Sequence, residues 1–254
     1  MEPKTIAARA AMLGFPAVAV TDRNGLYGVM PFSDACMAKG VQPIIGAMLA
    51  LARPPEIGGE SGIDWLVLLA KDDQGYANLC KLVSSAHLDR PLEEDPHVPF
   101  GKLDGLSEGL IALTAGAEGA LSRFIAAGQQ TKALAYLDRL QSLFPGRLYI
   151  EIARRHDLIE EASEDTLVEL AYARDLPLVA TNPAAYADPS FMAAHDAMLC
   201  IANSAYVESA ERTSSSADAW LKDGQAISDL FADLPEALAN TAIIAQRCAV
   251  AAPK

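Results

Sequence analysis

The residues best placed to do chemistry follow a short β-branched segment near the amino terminus. Val18 to Thr21 predicts a strand, Asp22 ends it, and Asn24-Gly25 predicts a turn before a helix. In α/β barrels the loops after the strands carry the catalytic residues, so Asp22 is placed where a metal ligand or catalytic carboxylate would lie. The next residue, Arg23, is always cationic and cannot coordinate a metal. Arg23 therefore weakens the case for a metal at this loop.

The four histidines add little to a catalytic centre. His97 lies between prolines in an acidic segment and is expected to be solvated, whereas His87 ends a predicted helix, where a cation suits the dipole. His195 lies on a predicted helix, where packing or capping accounts for it better than ligation does. His156 follows Glu151 by five residues, after a strand end, and is the best placed of the four.

A metal site of the usual kind needs three or more His, Asp, Glu or Cys side chains that converge at strand ends. The strand-end loops offer too few, namely Asp22-Arg23, Thr114-Ala115, Glu151 with His156, and Asn182-Pro183. No serine or cysteine lies in a strand-turn-helix elbow beside a plausible base. The four cysteines form no CxxC pair, so neither a zinc site nor a disulfide framework is indicated.

The elements that must position these residues are those of an α/β protein. With 254 residues, 51% of them hydrophobic, the chain can form one large domain, or one domain with an appendage. Parallel strands need crossover helices, and most of the predicted strands are separated by helices, so we favour a barrel over an open sheet. The six predicted strands are 18–21, 41–51, 65–70, 110–114, 147–152 and 178–181.

The charge and hydropathy patterns exclude several classes of protein. A net charge of -13 argues against a domain that grips DNA by itself, because such binding draws on clustered Lys and Arg. No run of 18 apolar residues and no signal-peptide core is present, so we expect a soluble, cytoplasmic protein without membrane contact. Neither a Rossmann glycine fingerprint nor a phosphate loop is found.

Seven segments carry a family resemblance, in order between Ile6 and Pro253. They are LGFPAVAVTDRNGLYGVMPF, VQPIIGA, LVLLAKDDQGYANLCKLVSSAH, GLIALTAG, LYIEIARRHD, LPLVATNPAAYADPSFMAAHDAMLCI and SDLFADLPEALANT. Together they resemble the amino-terminal polymerase-and-histidinol-phosphatase (PHP) domain of bacterial replicative DNA polymerase III alpha subunits, those of alphaproteobacteria most of all. The resemblance implies an α/β fold, a distorted seven-stranded TIM-like barrel. We expect residues 1–202 to form the PHP barrel core and 203–254 a helical extension of the same domain.

The resemblance also implies where a metal centre would lie, and there this chain departs from the family pattern. Metal-bearing members begin with a strand that carries a His-x-His pair, and this chain starts downstream of it, so the barrel is expected to lack its first strand. Arg23 stands at the position of a ligand histidine. Met48 and Trp65 replace an acidic ligand and a second histidine. Arg155 falls on a third histidine position, which leaves His156 displaced by one.

The last ligand motif of the family, Asn-Asp-x-His, reads Asn182-Pro-Ala-Ala here, and only Asp22 and Glu151 remain of the ligand region. We therefore expect no catalytic residue, no metal ligand and no cofactor in this fragment, and we expect Arg23 and Arg155 to pair with the two remaining carboxylates. The vestigial site region comprises Asp22, Arg23, Met48, Trp65, Glu151, Arg155, Pro183 and Ala185.

For the parent protein the resemblance implies template-directed DNA synthesis with magnesium, by a polymerase domain that would follow Lys254. For this fragment, expected to be truncated at both ends, it implies a structural and docking module. Its partners would be the rest of the alpha subunit and the proofreading exonuclease subunit, with DNA reached only through the parent enzyme. The alternative is a residual metal-dependent phosphoesterase, either a 3'-5' exonuclease or a pyrophosphatase. A third possibility is a role in folding alone.

The absence of a first strand has a structural corollary. The strand from Ala17 to Thr21 would lose a neighbour and keep an unpaired edge. We therefore predict a gap in the barrel wall at this strand, filled by a neighbouring molecule or by a disordered segment. A seven-stranded barrel that closes within this chain would contradict the prediction.

Overall fold

A computed structural model describes residues 1–57, 62–209 and 211–252. The strands are β1 Ala17–Arg23, β2 Gln42–Ala52, β3 Ile63–Ala70, β4 Val98–Pro99, β5 Leu110–Leu113, β6 Leu148–Ala153 and β7 Leu178–Thr181. The helices are α1 Pro3–Met12, α2 Val29–Ala38, α3 Asp73–Leu88, α4 Ala120–Ala126, α5 Gln130–Leu143, α6 Leu158–Ala173, α7 Met192–Ala202, α8 Gly224–Leu230 and α9 Pro235–Arg247. Short 3-10 turns lie at Pro55–Ile57, Phe100–Leu103, Gly116–Glu118 and Pro189–Phe191.

The strands form one curled, mixed sheet in the order β1-β2-β3-β5-β6-β7, with β4 also paired to β2. The α/β class predicted from the sequence is confirmed, but the expectation of parallel strands is wrong for β3. This strand runs antiparallel to both β2 and β5. The reason is the short connection of residues 53–62, which is too short for the crossover that a parallel neighbour requires.

Strand β4 lies in a proline-rich, acidic part of the chain where none of the six predicted strands falls. Val98 and Pro99 pair in parallel with Leu51 and Ala52 at the end of β2. A strand of two residues, one of them a proline, carries no periodic pattern. Only its position against β2 makes it a strand.

The two ends of the sheet do not join. Within the described residues β1 pairs only with β2, and β7 only with β6, so the unpaired edge predicted at β1 is present. The free edge of β7 is partly satisfied, because Asn240 Nδ2 of α9 donates a hydrogen bond of 2.7 Å to the Leu178 carbonyl. Covering an edge in this way blocks further strand pairing.

Both faces of the sheet are apolar, and different helices pack on each of them. Alternate residues such as Leu66 and Leu68 point to the outer face, where α3, α4, α5 and α6 pack against them. Their neighbours Val67 and Leu69 point to the inner face. There they pack with residues that include Ile244 and Cys248, from α9 and its carboxyl end. None of the described helices combines the length and the apolar composition needed to cross a bilayer.

Candidate functional site

Glu151 lies at the centre of the site that the sequence predicts, on the inner face near the carboxyl end of β6. Its side chain is buried, with 5% of the residue exposed. Oε2 accepts a hydrogen bond of 2.9 Å from the Ala115 amide, and Oε1 accepts one of 2.7 Å from the Thr181 hydroxyl. The Glu151 amide in turn donates to Thr114 Oγ1. Both carboxylate oxygens therefore already have protein donors.

Backbone geometry explains how the Ala115 amide reaches Glu151. Ala115 has a left-handed backbone with φ of +64°, and the 3-10 turn of residues 116–118 follows it. Gly119 then passes so close to Thr114 that a Cβ atom there would lie 1.8 Å from the Thr114 carbonyl oxygen. Only glycine fits at this position, so the turn that carries the donor depends on it.

The environment of Glu151 favours its neutral form. Burial raises the pKa of Glu151, and the hydrogen bonds from Thr181 and Ala115 only partly oppose this effect. Removing a carboxylate from water disfavours its charge, and no guanidinium donates to it in the described residues. This carboxyl group therefore holds its proton more tightly than a solvated glutamate does.

Arg23, at the end of β1, is engaged elsewhere. Its Nη2 atom lies 2.5 Å from Oε2 of Glu118, and its guanidinium stacks 4.7 Å from the centre of the Trp65 ring. More than half of the Arg23 side chain is exposed, so this pair forms part of the rim of the site. The predicted pairing of Arg23 with Asp22 is wrong. Consecutive residues of a strand point to opposite faces and cannot meet.

Arg155 also has a different partner from the one predicted. Its Nε and Nη2 atoms contact Oε1 of Glu160 at 3.0 and 2.6 Å, and its amide donates to Oε2. Glu160 is held in place because Asp157 caps α6 by accepting from the amides of Ile159 and Glu160. Burial raises the pKa of Glu160, and Arg155 opposes the shift. The predicted pairing of Arg155 with Glu151 is wrong.

The remaining predicted residues surround this centre without completing a ligand set. Met48 and Trp65 pack on the inner apolar cluster. Pro183 and Ala185 lie in the segment after β7, where the Ala185 amide donates to the Ala219 carbonyl. The 182–186 segment is thereby tied to residues 219–222 at the position where the family pattern places its last ligands.

His156 does not face Glu151. Its side chain is 79% exposed and lies 3.4 Å from Glu161 and 3.8 Å from Asp218. Its backbone is left-handed, with φ of +58°, which turns the chain out of β6 toward α6.

We tested the donor set against a divalent metal. Among residues 1–57, 62–209 and 211–252, no three His, Cys, Asp or Glu side chains are grouped as such an ion requires. Asp22 and Glu151 are the two carboxylates left of the family pattern, but they lie on different faces of the sheet: Asp22 shares its face of β1 with Val18 and Val20, which pack with α1 and α2, whereas Glu151 points to the inner face. The residues present do not fit a metal centre of the usual kind.

A sequence model of the PHP domain matches residues 1–155, which include β1 to β6 and Glu151 itself. The chain belongs to the PHP family. The resemblance and the fold class predicted from the sequence are thus confirmed.

Relatives of this PHP chain are named DNA polymerase III subunit alpha. That of Caulobacter vibrioides is 41% identical over 94% of this chain and 21% of its own length. Those of Rickettsia bellii and Pseudomonas aeruginosa are each 35% identical, over 93% and 96% of this chain and 20% and 21% of their own lengths. The chain spans about a fifth of the length of the curated relatives it matches. Among solved structures, an amidohydrolase from Chromobacterium violaceum shows 14% identity and a TM-score of 0.44, covering 71% of this chain and 81% of its own.

Sequence reasoning missed the residues that hold this PHP site together, namely Glu118, Glu160, Thr181 and the Ala115 amide. Glu160 carried a signal, because it lies three residues after the helix-capping Asp157 and close to Arg155. Glu118 lies in the glycine-rich loop after β5 and gave none. Its contact with Arg23 spans 95 positions and depends on how β1 and β5 are placed in the sheet.

Proposed function

We propose that this PHP domain is the amino-terminal part of a DNA polymerase III alpha subunit and serves there as a structural and docking module without catalysis of its own. The observation that carries the proposal is the state of Glu151. A buried carboxyl whose two oxygens are bound by Thr181 and Ala115, with a raised pKa, is organised to stabilise the fold. Each Glu151 oxygen keeps one lone pair, but within the described residues no further His, Cys, Asp or Glu side chains are grouped with it as a metal ion would require.

The arginines of the site support the same proposal. Arg23 and Arg155 each neutralise a carboxylate, Glu118 and Glu160, that could otherwise have helped to attract a cation. Such pairs add structure to an old site without adding a nucleophile, a base or an electrophile. No cofactor is therefore proposed for this domain.

For the whole subunit we propose template-directed DNA synthesis with magnesium, because the relatives that share this domain bear the polymerase name. The domain would contact the rest of that subunit and the proofreading exonuclease subunit. DNA would be reached only through the parent enzyme. The net charge of -13 supports contact with protein better than contact with a phosphate backbone.

The test of the inactive site is elemental analysis of the dialysed protein, with a phosphoesterase assay in added zinc, manganese or magnesium. We expect less than about a tenth of an equivalent of metal and no turnover, since a competent site retains its ion. Near-stoichiometric metal, with turnover lost in Asp22→Ala and kept in the exposed control Asp34→Ala, would establish the phosphoesterase alternative. Turnover that survives in both variants would indicate a contaminating enzyme.

The docking part of the proposal is tested by titrating the labelled chain with the purified exonuclease subunit of the same organism. Saturable binding is the expected result. A chain that folds but does not bind the subunit would leave only a folding role and would reject docking.

A further inference from the structure

Helix α7 is amphipathic, but its polar residues face the protein and its apolar residues face outward. His195 and Asp196 lie on the inner side of the helix. His195 Nδ1 contacts Ser215 Oγ at 2.8 Å, while Asp196 accepts from both terminal nitrogens of Arg212 at 2.7 and 2.8 Å. The Ser215 amide also donates to Asp196. These bonds tie α7 to the 212–215 segment.

The opposite side, here called the α7 outer face, consists of Phe191, Ala194, Met198 and Ile201. Their spacing of three, four and three residues places them on one stripe of a helix. Phe191 is 53% exposed, Met198 67% and Ile201 80%. Cys200 is the one residue of the helix that is buried. The helix therefore buries little of its apolar surface within the described residues.

Two further exposed apolar residues follow α7 in the chain. Tyr206 is 80% exposed and Val207 54%, so exposed apolar side chains extend from Phe191 to Val207. Scattered apolar residues are normal on a protein surface, but a contiguous stripe is typical of an interaction site.

The charge beside the patch indicates the chemistry of its occupant. Glu208 and Glu211 are exposed next to it, and neither forms an ion pair in the parts of the chain that the structure describes. Arg212, which follows these glutamates, is already paired with Asp196. A second copy of the chain would bring the same acidic flank and a further net charge of -13, so like charges oppose self-association.

We propose that the α7 outer face binds an amphipathic helix of a partner protein whose apolar residues are flanked by lysine or arginine. Its apolar side would pack on Met198 and Ile201, and its basic side chains would face Glu208 and Glu211. This inference goes beyond the proposed function, because it specifies the surface that is used and the chemistry of the segment that occupies it.

The test uses two synthetic helical peptides of about 18 residues, five turns. Both carry leucines on one face, and their polar positions hold lysine in one peptide and glutamate in the other. Fluorescence anisotropy measures their binding to the full chain. We expect the lysine peptide to bind and the glutamate peptide to bind at least about tenfold more weakly, since like charges then meet.

The decisive variant is Met198→Glu with Ile201→Glu. It adds negative charge, which favours a lysine peptide, so a loss of at least about tenfold in affinity can come only from the lost apolar contact. The matched control is Leu92→Glu with Leu158→Glu, two residues that are 91% and 82% exposed elsewhere on the surface. This control adds the same charge and should keep or slightly raise the affinity.

Three results would overturn the inference. These are equal binding of the lysine peptide to wild type and to the α7 variant, no binding of either peptide, or a wild-type dimer in sedimentation velocity that the α7 variant disperses. The last would identify a second copy as the occupant. All four substituted residues are exposed, so circular dichroism should show unchanged folding in both variants.

Discussion

The surroundings of Asp64 and Glu151 differ although both are buried carboxyl groups on strands of one sheet. Asp64, on the outer face of β3, binds Arg53 through both side-chain oxygens and Arg123 through one of them. Glu151, on the inner face of β6, has only an amide and a hydroxyl as donors. Arg53 also stacks 4.6 Å from the Phe124 ring, and its hydrogen bond with Asp64 raises its pKa.

The difference separates a carboxylate held by ion pairs from a buried carboxyl group held only by neutral donors. Two guanidinium groups offset the charge of Asp64, so its removal would leave uncompensated cations. Neutral donors do not offset the charge of Glu151, so its ionisation costs stability. Measurements on variants of each group test this contrast.

The largest effect is expected for Asp64→Ala. It leaves two arginines without their carboxylate, and it should lower the free energy of unfolding by about 3 kcal/mol, near the low end for a broken buried pair because Arg123 is partly exposed. Urea denaturation gives the value. Asp89→Ala, which removes an exposed partner of Lys102, should leave the midpoint unchanged. Equal urea midpoints for Asp64→Ala and Asp89→Ala would show that the ion pairs of Asp64 do not stabilise the fold.

A smaller loss, about 2 kcal/mol, is expected for Arg155→Ala, because the buried Glu160 carboxylate then has no cation beside it. The loss should shrink when Glu160→Gln is already present, and a double-mutant cycle in urea measures that coupling. If the two substitutions are simply additive, the pair does not act as a unit.

The stability of Glu151→Gln relative to wild type, measured as a function of pH, tests whether the charge of the buried Glu151 carboxylate lacks a compensating cation. The folded-state pKa is raised above the usual 4.5, so the stability from the neutral group is complete below that value and is lost as pH rises through the folded pKa. The glutamine variant removes the charge; its carbonyl oxygen can accept from the Ala115 amide and its amino group can donate to Thr181 Oγ1. It should therefore gain stability over wild type at pH 8 and lose that advantage at pH 4. Urea midpoints of wild type and Glu151→Gln at both pH values test this prediction. A stability gain of the variant that does not vary with pH would show that the pKa of Glu151 is not raised in the folded state.

The smallest effect is expected for Arg23→Ala. More than half of that side chain is exposed, so its pair with Glu118 should contribute about 0.5 kcal/mol or less. Its stacking on Trp65 offers a more sensitive signal. In a Trp220→Phe background, which leaves one tryptophan, loss of the guanidinium should change the intensity of the Trp65 emission. An unchanged spectrum would place Arg23 away from the ring.

The long elements could be predicted from the sequence because their signals are local. Apolar runs marked β2, β3 and β6, and their predicted ranges of 41–51, 65–70 and 147–152 agree with the structure to within two residues at each end. The reversal of β3 could not be derived from apolar runs, since a strand buried on both faces has the same composition in either direction.

The candidate site residues could be proposed from the sequence, but their contacts could not. Asp22 and Glu151 were proposed because they lie near the carboxyl ends of β1 and β6, whereas the partners of the arginines depend on turns. Arg155 lies four residues beyond Glu151, about 13 Å along an extended strand, so pairing them required a bend that the sequence did not indicate. That bend, at His156, instead brings Arg155 to Glu160.

The position of α9 on the inner face imposes an order on biosynthesis. The inner apolar cluster draws on β2, β3, β5, β6 and β7, but its cover includes Ile244 and Cys248. β7 ends at Thr181, and the ribosome adds roughly 5–20 residues per second, so roughly 3–13 s pass before Ile244 is made. During that interval the inner apolar face of the nascent sheet is exposed to solvent. A chaperone that recognises apolar surfaces would bind the chain mainly in this interval.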